Sequence, residues 1–163
     1  MNTLSQAIKM WALILLSFFA SLILLFLRTP PNIDWLQPLW IILVLLYWIL
    51  MRPQYVSIGV AWSVGIFLDI LYNTPIGENA LALVLIAFLA TKFRQKIISL
   101  SFWKSSMIIF GLIALYQSLQ FLMQTCIGSY FNIWSIFGNA FMSTLAWILL
   151  AVFLFNHQRK IQI

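Results

Sequence analysis

The sequence predicts an all-α membrane protein, a bundle of six transmembrane helices in one integral membrane domain over residues 1–163. Apolar residues make up 64% of the 163 residues and charged residues only 7%, whereas a soluble domain is typically about 45–50% apolar and about 25% charged. The few charges are also clustered, so that long uncharged runs separate them. Six helices of about 20 residues need roughly 120 residues, which leaves no room for a soluble catalytic or nucleotide-binding domain.

The uncharged runs define the predicted spans in order. The longest run, Ser105 to Asn156, has 52 residues and is divided in two by the loop-forming residues at 128–132. Pro38 suits the first turn of the second helix. The fourth span is short, and Lys92 extends it by reaching back to the membrane surface. The predicted spans are about 10–27, 36–51, 55–73, 79–93, 106–127 and 133–155.

The basic residues predict the orientation of the chain. With the N-terminus in the cytoplasm, only Arg28 of the nine basic residues falls on the outer side. Lysine and arginine concentrate in cytoplasmic loops, so both termini are predicted to be cytoplasmic. The net charge of +6 then reflects these loops, and no nucleic-acid partner is expected. The predicted cytoplasmic basic residues are Lys9, Arg52, Lys92, Arg94, Lys96, Lys104, Arg159 and Lys160.

One cytoplasmic segment, residues 92–104, combines basic and apolar side chains. Its basic residues are Lys92, Arg94, Lys96 and Lys104, interleaved with residues such as Phe93. This pattern predicts a loop that lies on the membrane surface and is attracted to anionic lipid. A docking surface for a cytoplasmic protein is the alternative.

Catalytic and cofactor motifs do not occur in the sequence. There is no phosphate-binding loop, no dinucleotide glycine fingerprint and no Ser/His/Asp arrangement. Cys126 has no nearby basic residue that would activate its thiol, and the chain has too few ligating residues for a metal site. We therefore expect no catalytic residues, no metal, no cofactor and no enzymatic activity.

The candidate site residues lie on the third span and the turn after it. Asp69 is the one acid inside a predicted span, where a charge is costly. Its carboxylate could accept hydrogen bonds from backbone N–H groups of Asn73 to Asn79 or of the fourth helix, contact a partner, or hold a proton or ligand. Gly59 and Gly65 predict close helix approach within the protein. Gly77 suits a turn with positive φ.

Several short motifs in this region resemble the MreD family of rod shape-determining proteins. The motifs are Leu39 to Trp48, Arg52-Pro53, Gly59…Gly65…Leu68-Asp69-Ile70-Leu71, Pro75-Ile76-Gly77 and Ala80-Leu81. The resemblance assigns Gly65, Asp69 and Gly77 to family positions. It also implies a fold similar to the substrate-binding membrane component of energy-coupling-factor vitamin transporters.

The function implied by the resemblance is a non-catalytic part of the bacterial cell-elongation complex, which scaffolds or regulates peptidoglycan synthesis and maintains rod shape. The implied partners are an MreC-like bitopic protein, an MreB-like filament, a RodA-like polymerase and a class B penicillin-binding protein, together with membrane lipids. The alternative is a vitamin-type uptake component with an outward-facing pocket. Few polar residues fall on the predicted outer side, which favours the scaffold.

The charge distribution yields a direct test of topology. Reporter fusions after Leu36, Gly77 and Ser129 should be periplasmic, and fusions after Pro53, Ser99 and Ile163 should be cytoplasmic, because basic loops stay inside. Alkaline phosphatase and fluorescent-protein activities measure the two locations. A periplasmic C-terminus would contradict the six-span arrangement, since it requires an odd number of spans.

Overall fold

The structure, a computed structural model, describes residues 2–26, 38–127, 138–139 and 141–148, and its regular structure there is helical without strands. The all-α prediction is confirmed for these residues. The helices are α1 (Asn2–Phe26), α2 (Trp40–Met51), α3 (Ile58–Tyr72), α4 (Glu78–Lys92), α5 (Arg94–Ser99) and α6 (Phe102–Ile127). Residues 141–148 are also helical and form α7.

Two of these helices are long and apolar enough to cross a membrane. The qualifying stretches are Ala7–Leu25 of α1 and Trp103–Cys126 of α6. By contrast, α2 has 12 residues and α3 and α4 have 15 each, so they rise only roughly 18 to 22 Å. A bilayer core is about 30 Å thick. The six-span arrangement therefore remains a prediction.

The helix boundaries differ from the predicted spans mainly at their beginnings. The first and fifth predicted spans begin at 10 and 106, but α1 begins at Asn2 and α6 at Phe102. The second and third were predicted from 36 and 55, whereas α2 begins at Trp40 and α3 at Ile58. The turn predicted at 128–132 and both ends of the sixth predicted span lie outside the described residues.

The predicted surface loop at 92–104 is largely helical instead. Arg94 to Ser99 form α5, and Phe102 begins α6 after a short break. Ile97 is buried on the inner face of α5, and the Ser105 hydroxyl of α6 donates a 2.6 Å hydrogen bond to the Ile97 carbonyl. Burial of one apolar side chain and this polar contact hold the segment against the bundle, which a sequence pattern of alternating basic and apolar residues does not reveal.

Helix α2 forms the centre of the packed core. It is apolar on all sides, as expected for a helix surrounded by others. It packs against α1 and α4, and eight of its twelve residues are buried. The buried residues are Ile41, Ile42, Leu43, Leu45, Leu46, Trp48, Ile49 and Leu50.

Three polar contacts tie α2 to its neighbours. The Trp48 indole N–H donates to the Ser17 hydroxyl of α1 at 2.8 Å. At the start of the helix, the Leu39 N–H donates to the Ser143 hydroxyl of α7 at 2.9 Å. At its end, Arg94 Nε donates to the Leu50 carbonyl at 2.7 Å, which satisfies one of the carbonyls that a helix C-terminus leaves without a partner.

Helices α3 and α4 approach each other closely at Gly65. A Cβ atom placed on Gly65 would lie 2.3 Å from the Cα of Ala80, so only glycine fits there. Ala61, one turn before Gly65, is also buried, and this pair supplies the four-residue spacing of small residues typical of membrane helix contacts. Gly59 is exposed and has open space around it. The expected intramolecular close approach at Gly59 is therefore wrong, because Gly59 lies on the outward face of α3.

The two glycines form a matched pair for a stability test. We expect Gly65→Leu to lower the free energy of unfolding by roughly 1–3 kcal/mol, because the new side chain overpacks the α3–α4 contact. Gly59→Leu is the control, since its side chain enters open space. Denaturation of the purified protein in detergent, followed by tryptophan fluorescence, measures both. Equal losses in the two variants would contradict the close approach at Gly65.

Candidate functional site at the α3–α4 turn

The turn between α3 and α4 depends on two residues with left-handed backbone conformations. Asn73 ends α3 with φ 54° and ψ 38°, and its N–H bonds back to the last turn of the helix. Gly77 precedes α4 with φ 108°. A Cβ at Gly77 would meet no neighbouring atom, so glycine is required there by backbone conformation rather than by space.

Asp69 caps the N-terminus of α4 from the neighbouring helix. Its side chain is fully buried. One carboxylate oxygen accepts the Gly77 N–H at 2.8 Å, and the other accepts the Asn79 N–H at 2.7 Å. The hydrogen bonds expected from backbone amides of this segment are thus present. Gly77 occupies the N-cap position without a side chain, so Asp69 supplies both the acceptor oxygens and the negative charge that a helix N-terminus favours.

The Thr74 hydroxyl gives Asp69 a third hydrogen bond and begins a wider network. It donates at 3.2 Å to Oδ1 of Asp69, the oxygen that also accepts the Asn79 N–H. The same hydroxyl accepts the side-chain amide of Asn79 at 3.2 Å. Both carboxylate oxygens are therefore occupied by donors from the turn and from α4.

The network continues from α4 into α6. The Tyr116 hydroxyl donates to Asn79 Oδ1 at 2.5 Å. Gln120 Nε2 donates to the same oxygen and, at 2.7 Å, to the Tyr116 hydroxyl. Asn79 and Tyr116 are buried, so these hydrogen bonds form away from solvent, where an unpaired polar group is costly. One connected set of polar side chains therefore joins α3, its turn, α4 and α6, and we call it the Asp69 network.

A second acid, Glu78, lies next to the Asp69 network and is also buried. One of its carboxylate oxygens accepts the side-chain amide of Gln124 at 3.0 Å. The other oxygen has no hydrogen-bond partner among the described residues. The two acids thus sit at the same end of the bundle, each bonded to neutral donors.

The observed interactions of Asp69 at this site are hydrogen bonds to the fold itself. Both carboxylate oxygens accept donors from the turn and from α4. Across the described ranges, no three His, Cys, Asp or Glu residues come together as a metal site. Cys126 is exposed.

A cavity of about 280 Å³ adjoins the network between α1, α2, α3, α4 and α6. Its apolar wall is formed by aliphatic residues and one indole, and its polar wall by side chains of the network, by Tyr72 and by Gln124. The apolar wall comprises Leu25, Leu39, Trp40, Ile41, Ile42 and Leu68. The polar wall comprises Tyr72, Thr74, Asn79, Tyr116, Gln120 and Gln124.

The candidate residues named from the sequence fall into two groups. Gly65, Asp69 and Gly77 converge on the α3–α4 contact and its turn, while Gly59 faces outward. At the opposite end of α4, Lys92, Lys96 and Lys104 are exposed. Arg94 differs from them, because it is half-buried and bonds to the Leu50 carbonyl.

Thr74, Tyr116 and Gln120 were not among the predicted site residues. The available signal was the four-residue spacing of Tyr116, Gln120 and Gln124, which places polar groups on one face of a helix within an uncharged run. The partner of that face, the start of α4, is more than thirty residues away in sequence, so spacing alone does not pair them.

Comparison with known proteins extends the resemblance from these motifs to the chain. The family model described as rod shape-determining protein MreD matches residues 5–157. The chain belongs to the MreD family. The rod shape-determining protein MreD of Haemophilus influenzae is 29% identical over 159 residues, which cover 98% of each chain. No solved structure matches the chain.

Membership of the MreD family places the Asp69 network in a rod shape-determining protein. The family match covers all seven helices except the first residues of α1. It confirms the resemblance carried by the motifs between Leu39 and Leu81, and it extends that resemblance to the rest of residues 5–157.

The capping role of Asp69 gives a graded stability prediction. Asp69→Ala removes the acceptors for two α4 amides and should lower the free energy of unfolding by about 3 kcal/mol. Asp69→Asn should lie between alanine and wild type, because one amide oxygen still accepts while the new NH₂ group faces a backbone donor. Denaturation in detergent is the measurement.

The control for this series is Ser118→Ala, which removes only an exposed hydrogen bond within α6. It should leave the free energy of unfolding unchanged. If Asp69→Ala is as stable as Ser118→Ala, Asp69 does not cap α4. The burial of an acid at this position would then indicate a role in chemistry or binding.

Proposed function

We propose that the protein acts as a non-catalytic component of the inner-membrane elongation complex and scaffolds or regulates peptidoglycan synthesis. The family to which the chain belongs is that of the rod shape-determining protein MreD. The observation that carries this proposal is the Asp69 network. Its one acidic residue, Asp69, is fully buried and bonded to the turn and to α4, so it serves to hold helices in place.

The partners in this proposal are an MreC-like bitopic protein, an MreB-like filament, a RodA-like polymerase and a class B penicillin-binding protein. In this proposal the chain spans the membrane six times with both termini in the cytoplasm, as the charge distribution predicts, so partners on both sides are within reach. Helix α1 supports such a role, because it packs on α2 and also exposes large apolar residues such as Leu13, Leu16 and Phe19. Membrane helices associate through packing and a few polar contacts.

Gly59 is a second candidate contact with a partner helix. It is exposed on α3 and lies four residues before Ser63, which is also exposed. This small-residue spacing allows a neighbouring backbone to approach closely. The inner end of the bundle supports a lipid contact: Lys92, Lys96 and Lys104 are exposed, as are Phe93, Ile98 and Trp103, a combination that favours an anionic membrane surface.

The proposal is tested by depletion in a rod-shaped host. Cells without the protein should become wide or round while division continues, because the elongation complex loses a component. Cell width is the measurement, and the wild-type gene supplied from a plasmid is the control. Depleted cells that remain rod-shaped but lose uptake of a vitamin would overturn the scaffold and support the uptake alternative, which family membership does not favour.

The partner contact at Gly59 has its own readout. Gly59→Leu should accumulate normally, since its side chain meets nothing within the protein, yet recover less of the MreC-like partner on co-purification. Gly111→Leu on α6 is the matched control, because Gly111 also has open space around it. If the wild type, Gly59→Leu and Gly111→Leu all recover equal amounts of the MreC-like partner, the partner does not contact α3 at Gly59.

A further inference from the structure

The cavity beside the Asp69 network has one apolar and one polar wall. Leu39, Ile42 and Leu68 contribute hydrocarbon, whereas Tyr116, Gln120 and Gln124 contribute hydrogen-bonding groups. Water alone would wet the hydrocarbon, and a lipid tail alone would leave the polar groups without partners. An amphiphile satisfies both walls. At about 280 Å³, the cavity lies at the small end of ligand pockets, so it fits a single-chain molecule rather than a two-chain lipid.

Two glutamines of the polar wall keep their side-chain oxygens as acceptors. Gln120 Nε2 donates to the side-chain oxygens of Asn79 and Tyr116. Gln124 Nε2 donates to the Glu78 carboxylate. Among the described residues, no donor reaches the side-chain carbonyl oxygen of either glutamine. A ligand that bonds to these oxygens must itself carry an O–H or N–H group.

The described residues around the cavity favour a neutral ligand over an anion. None of the described lining residues is a lysine, an arginine or an acid, and the two acids that adjoin them, Asp69 and Glu78, are both buried. A carboxylate or phosphate brought against these residues would lose its hydration without gaining a cation from them. A neutral head group avoids this cost.

We propose that the cavity binds a neutral single-chain amphiphile, whose hydrocarbon body packs against Leu39, Ile42 and Leu68 and whose hydroxyl or amide head donates to Gln120 and Gln124. The site is a binding site only and does not require transport. It is independent of the partner contacts proposed above, because those face outward from α1 and α3.

The test uses quenching of Trp40, which lines the cavity. The probe is ω-bromooctanol, whose bromine quenches a tryptophan that it contacts, added to the purified full-length protein in detergent. We expect a saturable component of quenching that is absent from Trp40→Phe. The methyl ether of the probe, which lacks the donor, should bind about tenfold more weakly, as expected for the loss of one hydrogen bond. The carboxylate ω-bromooctanoate should also bind more weakly.

Adjacent leucines on α1 provide matched variants. Leu25 lines the cavity, whereas Leu24 is 42% exposed and points away from it. Leu25→Phe should weaken saturable quenching by ω-bromooctanol, and Leu24→Phe should not. Quenching that rises linearly with the probe, or equal affinities for the alcohol and its ether, would overturn the proposal. Both results are read from the wild-type protein, so they do not depend on whether a variant folds.

Discussion

The capping of α4 by Asp69 is the contact on which the rest of this structure depends. A helix N-terminus inside a membrane has backbone N–H groups that neither water nor lipid can satisfy. In this protein the acceptors come from the preceding helix, and each carboxylate oxygen takes one amide. The same contact fixes the angle of the turn, holds α3 beside α4, and positions Asn79 for its bonds to α6. The buried Asp69 side chain, which would be costly without hydrogen-bond partners, thereby stabilises the fold.

The approach of Gly65 to Ala80 complements this polar contact. Lipid offers no hydrophobic force between helices, so backbones must come close for dispersion to hold them together. Gly65 lies one turn from Asp69 along α3, and Ala80 follows Asn79 directly on α4. The tight packing and the hydrogen bonds are therefore adjacent, and each keeps the other in register. The cavity forms beyond this junction, where α1, α2 and α6 do not close over the start of α4.

Much of the site was accessible from the sequence because its members lie close together along the chain. Asp69 and Gly77 flank one turn, and a lone acid before a glycine-containing turn made hydrogen bonds to the amides of Asn73 to Asn79 one of the expected roles. The outward position of Gly59 could not be predicted in this way. Gly59 is as small as Gly65, yet it faces outward, and only the rotation of α3 against α4 distinguishes the two. Likewise, the alternating pattern at 92–104 did not reveal that Ile97 packs inward within α5.

The sequence by itself determined the all-helical membrane class, the family and the acid at the centre of the site. Composition limits which solvents a chain can face, and short motifs record local backbone requirements such as the positive φ of Gly77. Only the tertiary structure decided which helix faces meet, that Tyr116 and Gln120 join Asn79, and that a two-sided cavity lies beside them. These features depend on helix rotation and on contacts between distant segments, which helical periodicity leaves open when a helix is apolar all round.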